Sequence, residues 1–236
     1  MGIEEFAFVN KYGQPSITNI FFLDFDPELA AQAHCDRHVY QMPLDCAQLL
    51  SSAWHELHGY GADHEIPNLI RRHVYPVVTG EAAAERYRQL VPIGEAYTAE
   101  WRMFGQRIYS SVFADHSCAK WVRELGGNYL WLWQMGMALA AEYEHRFGKP
   151  HFARGVLYTL ERIPPALKKS VSDWTEAPPI MPEVFKVRDE SGQFYDSVQS
   201  YRNCYIDFKQ NMLAYTKRKL PNWMERRNEK YILAHT

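Results

Sequence analysis

Residues 128–147, NYLWLWQMGMALAAEYEHRF, followed at once by Gly148, decide the fold class. They read as one long helix, because glycine is a natural stop at a helix C-terminus. Trp131, Trp133, Met135 and Met137 on this helix are candidate core residues, with a stacking platform as the alternative reading. The apolar run from Tyr129 to Ala141 is interrupted by Gln134 and falls short of the ~18 residues that span a bilayer, so no membrane span is expected.

Working outward, residues 117–125 read as a helix ending at the pair Gly126 and Gly127. Residues 151–163 form another, closed by Pro164 and Pro165; a Pro-rich loop covers 177–182, a last long helix spans about 197–217, and 221–231 adds a short amphipathic piece. Nearer the start, residues 18–25, TNIFFLDF, are branched and aromatic and predict one strand. Asp26, Pro27 and Glu28 then open a helix, since Asp caps free N–H groups and Pro suits the first helical position. That helix is predicted to run to about Tyr40. Pro43 lacks the N–H an interior position needs, which predicts a break and a second helix over about 43–58. Residues 59–115, punctuated by Gly59, Gly61, Pro67, Pro76, Gly80, Pro92 and Gly94, read as a helical insertion, and residues 1–17 as an N-terminal arm. The expected fold is mainly α: a compact helical domain over 18–236 with one short N-terminal strand and that insertion, and without internal repeats.

The 236 residues are 47% hydrophobic and 23% charged, which excludes a disordered, collagen-like or fibrous chain. Such a chain buries roughly 70% of its unfolded surface. Glu4 and Glu5 leave no readable secretory signal near the start, so a cytoplasmic location is expected. Cys35, Cys46, Cys118 and Cys204 form no C-x-x-C pair, fit neither a disulfide framework nor a zinc ribbon, and are expected as buried reduced thiols. Residues 1–100 hold 6 Lys/Arg against 14 Asp/Glu and residues 101–236 hold 20 against 14, so the halves carry about −8 and +6. The basic half suits an anionic substrate or nucleic acid, unless it is an ordinary solvated mixed-charge surface.

Chemistry-bearing residues fall into clusters. HCDRH places His34, Asp36 and His38 together, and residues four apart share a helical face. His34 and His38 are candidate ligands for a divalent metal, with Asp45, His55, His58 or His64 as possible further ligands and no spacing that selects among them. The alternative is histidines hydrogen-bonded in a polar pocket. EYEHRFGKPH packs Glu142, Tyr143, Arg146, Lys149 and His151 around a helix end, a group able to bind phosphate and position an acid or base, or else to form a surface ion pair between Glu142 and Arg146. Tyr201, Arg202, Tyr205, Lys209, Tyr215, Lys217, Arg218, Lys219, Trp223, Arg226 and Arg227 interleave aromatics and cations, which suits single-stranded or flipped nucleotides as well as a plain amphipathic helix with a basic tail. The sequence holds no phosphate-binding P-loop, dinucleotide G-x-G-x-x-G, nucleophile elbow or kinase signature.

Four pieces, NIFFLDFDPELAAQAHCDRHVYQMPLDCAQLL, HSCAKWVRELGGNYLWL, EYEHRFGKPH and SYRNCYIDFK with PNW, together resemble a family of phages and some prokaryotes often labelled pyrimidine-dimer DNA glycosylase, or endonuclease V-like. The resemblance covers about half the chain and implies a helical enzyme acting on DNA bases, in an infected host cell if the gene is a phage's. It places Thr18 near the nucleophile position, His34 near a DNA-contacting histidine and His38 near the catalytic glutamate. Gln41 and Ser117 stand where the family pattern has lysine and proline, and Asp45 where a glutamate is usual. An internal Thr18 offers no amine, so a glycosylase/lyase reaction of that kind would need removal of the first 17 residues or return of Gly2.

The expectation is an enzyme of DNA metabolism that recognises a pyrimidine base, in DNA or as a nucleotide, and acts on the base or its glycosidic bond. His38, Asp36, His34, Asp45 and Glu142 are the acid/base candidates. His116, Arg123, Asn128, Tyr143, Arg146, Lys149, His151, Tyr201, Arg202 and Lys209 are the substrate and phosphate candidates. Alternatives are a transferase or lyase of base hypermodification, which reuses the pocket without the amine, and a non-catalytic protein that binds DNA or a partner. No cofactor beyond a divalent metal is expected.

Overall fold

The computed structural model describes residues 8–9, 15–16, 19–57, 108–109, 111, 114–209 and 214–224. Most of the expected arm, most of the expected 59–115 insertion, and residues 225–231 lie outside the described residues. The fold is mainly α. Its centre is the long helix read first, α4 (Gly126–Phe147), which packs along both α1 (Pro27–Ala33) and α2 (Asp36–Leu57). Around them lie α3 (Ser117–Val122), α5 (Arg154–Thr159) and α6 (Ser197–Lys209). The described residues also include two short antiparallel strand pairs, β1 (Phe8–Val9) with β2 (Pro15–Ser16) and β3 (Val187–Arg188) with β4 (Tyr195–Asp196). Among the described residues no helix is long and apolar enough to cross a membrane. All four cysteines are buried as free thiols.

Asp26 caps α1 as the sequence predicts, accepting from the N–H groups of Glu28 at 2.8 Å and Leu29 at 3.2 Å, with Pro27 in the first turn. Gly148 ends α4 at φ 72°, a left-handed residue that costs glycine little. Other boundaries differ from expectation for identifiable reasons. Residues 19–25 form no strand. Their backbone is held by side chains instead: Arg202 Nε donates to the Leu23 carbonyl at 2.8 Å and Trp131 Nε1 to that of Phe25 at 2.7 Å. Phe21 turns the segment at φ 46°, which breaks the pleat of a strand while Ile20, Phe21, Phe22 and Leu23 stay buried. A buried apolar run looks alike in sequence whether it pairs or not.

The first helix stops at Ala33 rather than near Tyr40, and α2 continues through Pro43. A helix leaves its last four carbonyls without internal partners. In α1 each of them is taken: Ala30 by His34 Nδ1, Ala31 by the His34 N–H, Gln32 by Arg146 Nη2 and Ala33 by the Tyr215 hydroxyl. That supply of partners fixes the break at His34, and tertiary packing overrides the lost donor of Pro43, whose ring is buried. The last helix is described over Ser197–Lys209, and residues 214–217, expected within it, are not helical, with Lys217 at φ 58°. The 151–163 helix is likewise shorter, Arg154–Thr159 with Ala153 as its N-cap and Leu160 as its C-cap, and a separate 3₁₀ helix follows at Pro165–Ser170.

Gly126 and Gly127, read as a terminator, are the first turn of α4. They are needed for close approach. A Cβ on Gly126 would lie 2.4 Å from the Leu167 carbonyl oxygen, and one on Gly127 2.4 Å from that of Asp173. The facing segment also supplies caps, since Ser170 Oγ accepts from the Gly126 N–H at 2.9 Å and the Asp173 carbonyl from that of Gly127 at 3.1 Å. Gly126→Ala should therefore lower the melting temperature, at a cost of about 1–3 kcal/mol, although alanine is the better helix former. Thermal denaturation checks this, and an unchanged or raised midpoint would contradict the packing.

Candidate functional site

The junction between α1 and α2 collects most of the acid/base candidates. His34 is the residue after α1 and Asp36 and His38 open α2, so they do not share one helix. The break nonetheless leaves the His34 and His38 ring centroids 6.0 Å apart. The end of α4 reaches the same place. Arg146, buried at 2% exposure, donates from Nε to Glu142 at 2.7 Å, from Nη1 to the His34 carbonyl at 2.9 Å and to Asp36 at 3.0 Å, and from Nη2 to the Gln32 carbonyl at 3.1 Å.

The segment 214–218 closes the junction from outside. Thr216 donates to Asp36 from its backbone at 3.0 Å and from Oγ1 at 2.7 Å, and the Asp36 N–H donates to the Ala214 carbonyl at 2.8 Å. Arg218 grips Glu142 with Nε at 2.8 Å and Nη2 at 2.7 Å. Burial works against the Glu142 charge, but hydrogen bonds and charge from Arg218 and Arg146 prevail and hold its carboxyl below the usual range. Asp36 and Glu142 are thus bound by guanidinium and hydroxyl groups of the chain itself, the arrangement of a structural knot.

His34 is different. Its Nδ1 lies 2.6 Å from the Ala30 carbonyl, which can only accept, so Nδ1 carries the proton. Burial, with a smaller contribution from the Arg146 charge, takes the ring down to about 4 against the pull of that bond. The imidazole is neutral, and its Nε2 is a buried acceptor without a hydrogen-bond partner among the described residues. Around it stand Phe21, His38 and Tyr205, with ring centroids 6.4, 6.0 and 6.0 Å away. Phe21 and His38 are also in tilted contact at 4.4 Å.

Two turns along α2 from His38 lies Asp45, on the same face because seven residues make nearly two full turns. Burial pushes its carboxyl up to about 7, opposed only by the Gln41 amide that donates to it at 3.0 Å. An acid that titrates near neutrality can give and take protons.

Several substrate candidates are structural links. The Asn128 amide donates to the Trp121 carbonyl and accepts from the Thr175 N–H; the Tyr201 hydroxyl donates to Asn19 and Pro178; Arg123 donates to the Ala114 carbonyl. Arg202 pairs with Asp24 at 2.8 Å and lies over Trp223. His116 caps α3 through Nδ1. His151 has both nitrogens engaged, by the Tyr40 carbonyl and the Ala153 N–H, and burial lowers it to about 4; the Tyr143 ring packs edge-on at 4.9 Å. Lys149 is exposed. His58, His64, Arg226, Arg227 and the side chain of Lys209 lie outside the described residues. His55 bonds the Tyr109 carbonyl, and among the described residues no group of three or more His, Cys, Asp or Glu could hold a metal ion. Phe21 and Thr216 entered no expected site, one being read as strand and the other lacking any motif. Searches against protein-family models, curated proteins and solved structures return no match.

Asp45 contributes stability with a definite sign. A carboxyl whose folded value is raised stabilises the fold at acid pH, below its ordinary 3.8, and that contribution is lost as pH rises through about 7. Asp45→Asn, which cannot ionise, should raise the melting temperature at about pH 8 and leave it little changed at about pH 4. A lowered midpoint at alkaline pH would show that the carboxylate has a stabilising partner.

Proposed function

We propose that the chain is an enzyme acting on a pyrimidine base of DNA or on its glycosidic bond, with the base received at the α1–α2 junction. The observation that carries this reading is a buried, neutral imidazole acceptor without a partner, set among Phe21, His38 and Tyr205, with a carboxyl poised near neutrality on the same face of α2 as His38. Flat aromatic walls suit a base extruded from its stack, and polar groups among them read its edge. Asp45 is the proton donor or acceptor, and His38 lies between it and His34 along the chain. Asp36 and Glu142 hold the junction together rather than react, since Arg146 pairs with the first and Arg146 and Arg218 with the second. With Arg123, Arg146 and Arg202 turned to internal acceptors, exposed cations such as Lys149 and Lys219 are the groups left for phosphates. The resemblance to the pyrimidine-dimer glycosylase family and the basic second half support the same substrate.

Labelled duplexes carrying a cyclobutane pyrimidine dimer, a hydroxymethyluracil or only normal bases, incubated with borohydride present, test the proposal through strand products and nucleoside masses. The expected result is a lost or altered pyrimidine, reduced about a hundredfold or more in Asp45→Asn. An added mass without base loss would assign the same site to base modification. Absence of any break, adduct or mass change on all three duplexes would overturn the enzyme reading in favour of a binding protein.

A further inference from the structure

The unpartnered nitrogen of His34 specifies which pyrimidines the junction can accept, an inference that rests on the reading of the junction as a base site. The Ala30 carbonyl at 2.6 Å fixes the proton on Nδ1, so Nε2 offers a lone pair and no hydrogen. A buried acceptor demands a donor, because leaving it unpaired forfeits the hydrogen bond it had with water. The neighbouring aromatic groups do not meet that demand. The Tyr205 hydroxyl accepts from the Cys35 N–H at 2.7 Å, the Phe21 side chain has no polar atom, and none of the described residues donates to Nε2. A ligand that carries a ring N–H supplies such a donor.

We infer that His34 Nε2 reads a ring N–H, so that the junction takes imide-type pyrimidines of the uracil and thymine class and rejects cytosine-type rings. The ring nitrogen between the two carbonyl positions of uracil or thymine carries a hydrogen, whereas the corresponding nitrogen of cytosine is itself an acceptor. Two facing lone pairs leave both groups unsatisfied, the situation in which a polar site discriminates most sharply. Neutrality of the imidazole matters here as well, since a protonated ring would donate at Nε2 and reverse the preference. Burial beside the Arg146 guanidinium, which donates to the His34 carbonyl at 2.9 Å, keeps the second proton off. His34 is fully buried in this closed form. The segment 214–218, clasped by Asp36 and Glu142, is the part of the described structure that lies across the junction and must part to admit a ring.

Single-stranded oligonucleotides bearing one thymine, uracil, cytosine or N3-methylthymine in an otherwise abasic strand, titrated into the full chain by fluorescence anisotropy, decide the matter. Thymine and uracil strands should bind about tenfold or more tighter than the cytosine strand, and N3-methylthymine, which lacks the donor, should behave as cytosine. His34→Phe should bind all four alike. Equal affinity of the unmodified protein for thymine and cytosine, or for thymine and its N3-methyl form, overturns the inference while leaving a DNA-binding junction in place. Equal affinity for all four and for a strand with no base overturns the base-site reading itself. Because these arms use the unmodified protein, they stand even where His34→Phe fails to fold.

Discussion

The Arg146 guanidinium is the interaction on which the rest of the structure depends. It sits at the C-terminal end of the central helix and donates to the Gln32 and His34 carbonyls, to Asp36 and to Glu142. A buried arginine is costly unless every N–H finds an acceptor in good geometry. Here the acceptors include a carbonyl that the end of α1 would otherwise leave unpaired, so one side chain satisfies its own requirement and that of the helix end together. Removing one partner of such a buried set typically costs about 3–5 kcal/mol, because the remaining charges stay behind. The break between α1 and α2, the seat of Asp36 and the purchase of Arg218 on Glu142 all follow from where this guanidinium lies.

That same knot separates the charged residues by role. Asp36, Glu142, Arg146 and Arg218 neutralise one another and join three stretches of chain that are remote in sequence. Among the acid/base candidates, His34 and Asp45 take their electrostatic state from burial rather than from an ionic partner, one held neutral as a base and the other as an acid close to neutrality. Perturbed groups of this kind are where chemistry is expected when paired charges nearby supply rigidity.

How much of this was legible in the sequence depends on the range of the interaction. The Asp26 cap, the Gly148 stop and the long central helix are encoded by residues a few positions apart, and all were readable. The density of HCDRH and EYEHRFGKPH also pointed to residues that do meet in space. The end of α1 was not readable, because its carbonyl partners Arg146 and Tyr215 lie more than a hundred residues away. Gly126 and Gly127 were misread for a related reason: their role is to admit the backbone of 167–173, and only the fold shows that approach. Pro43 misled in the opposite direction, since a local cost was overridden by packing. Within the site, the Glu142–Arg146 spacing was visible, whereas the difference between a saturated carboxylate and a poised one, Glu142 against Asp45, depends on burial and on Arg218.

The central claim is that His34 stands in the folded protein as a neutral imidazole, protonated on Nδ1 and offering a bare Nε2. Nitrogen-15 NMR of the histidine-labelled full chain, followed from about pH 8 downward, measures tautomer and titration together. His34 should show a single Nδ1–H form that persists until about 4. A His34 signal that titrates near the ordinary 6.5, or that carries its proton on Nε2 at neutral pH, would contradict it.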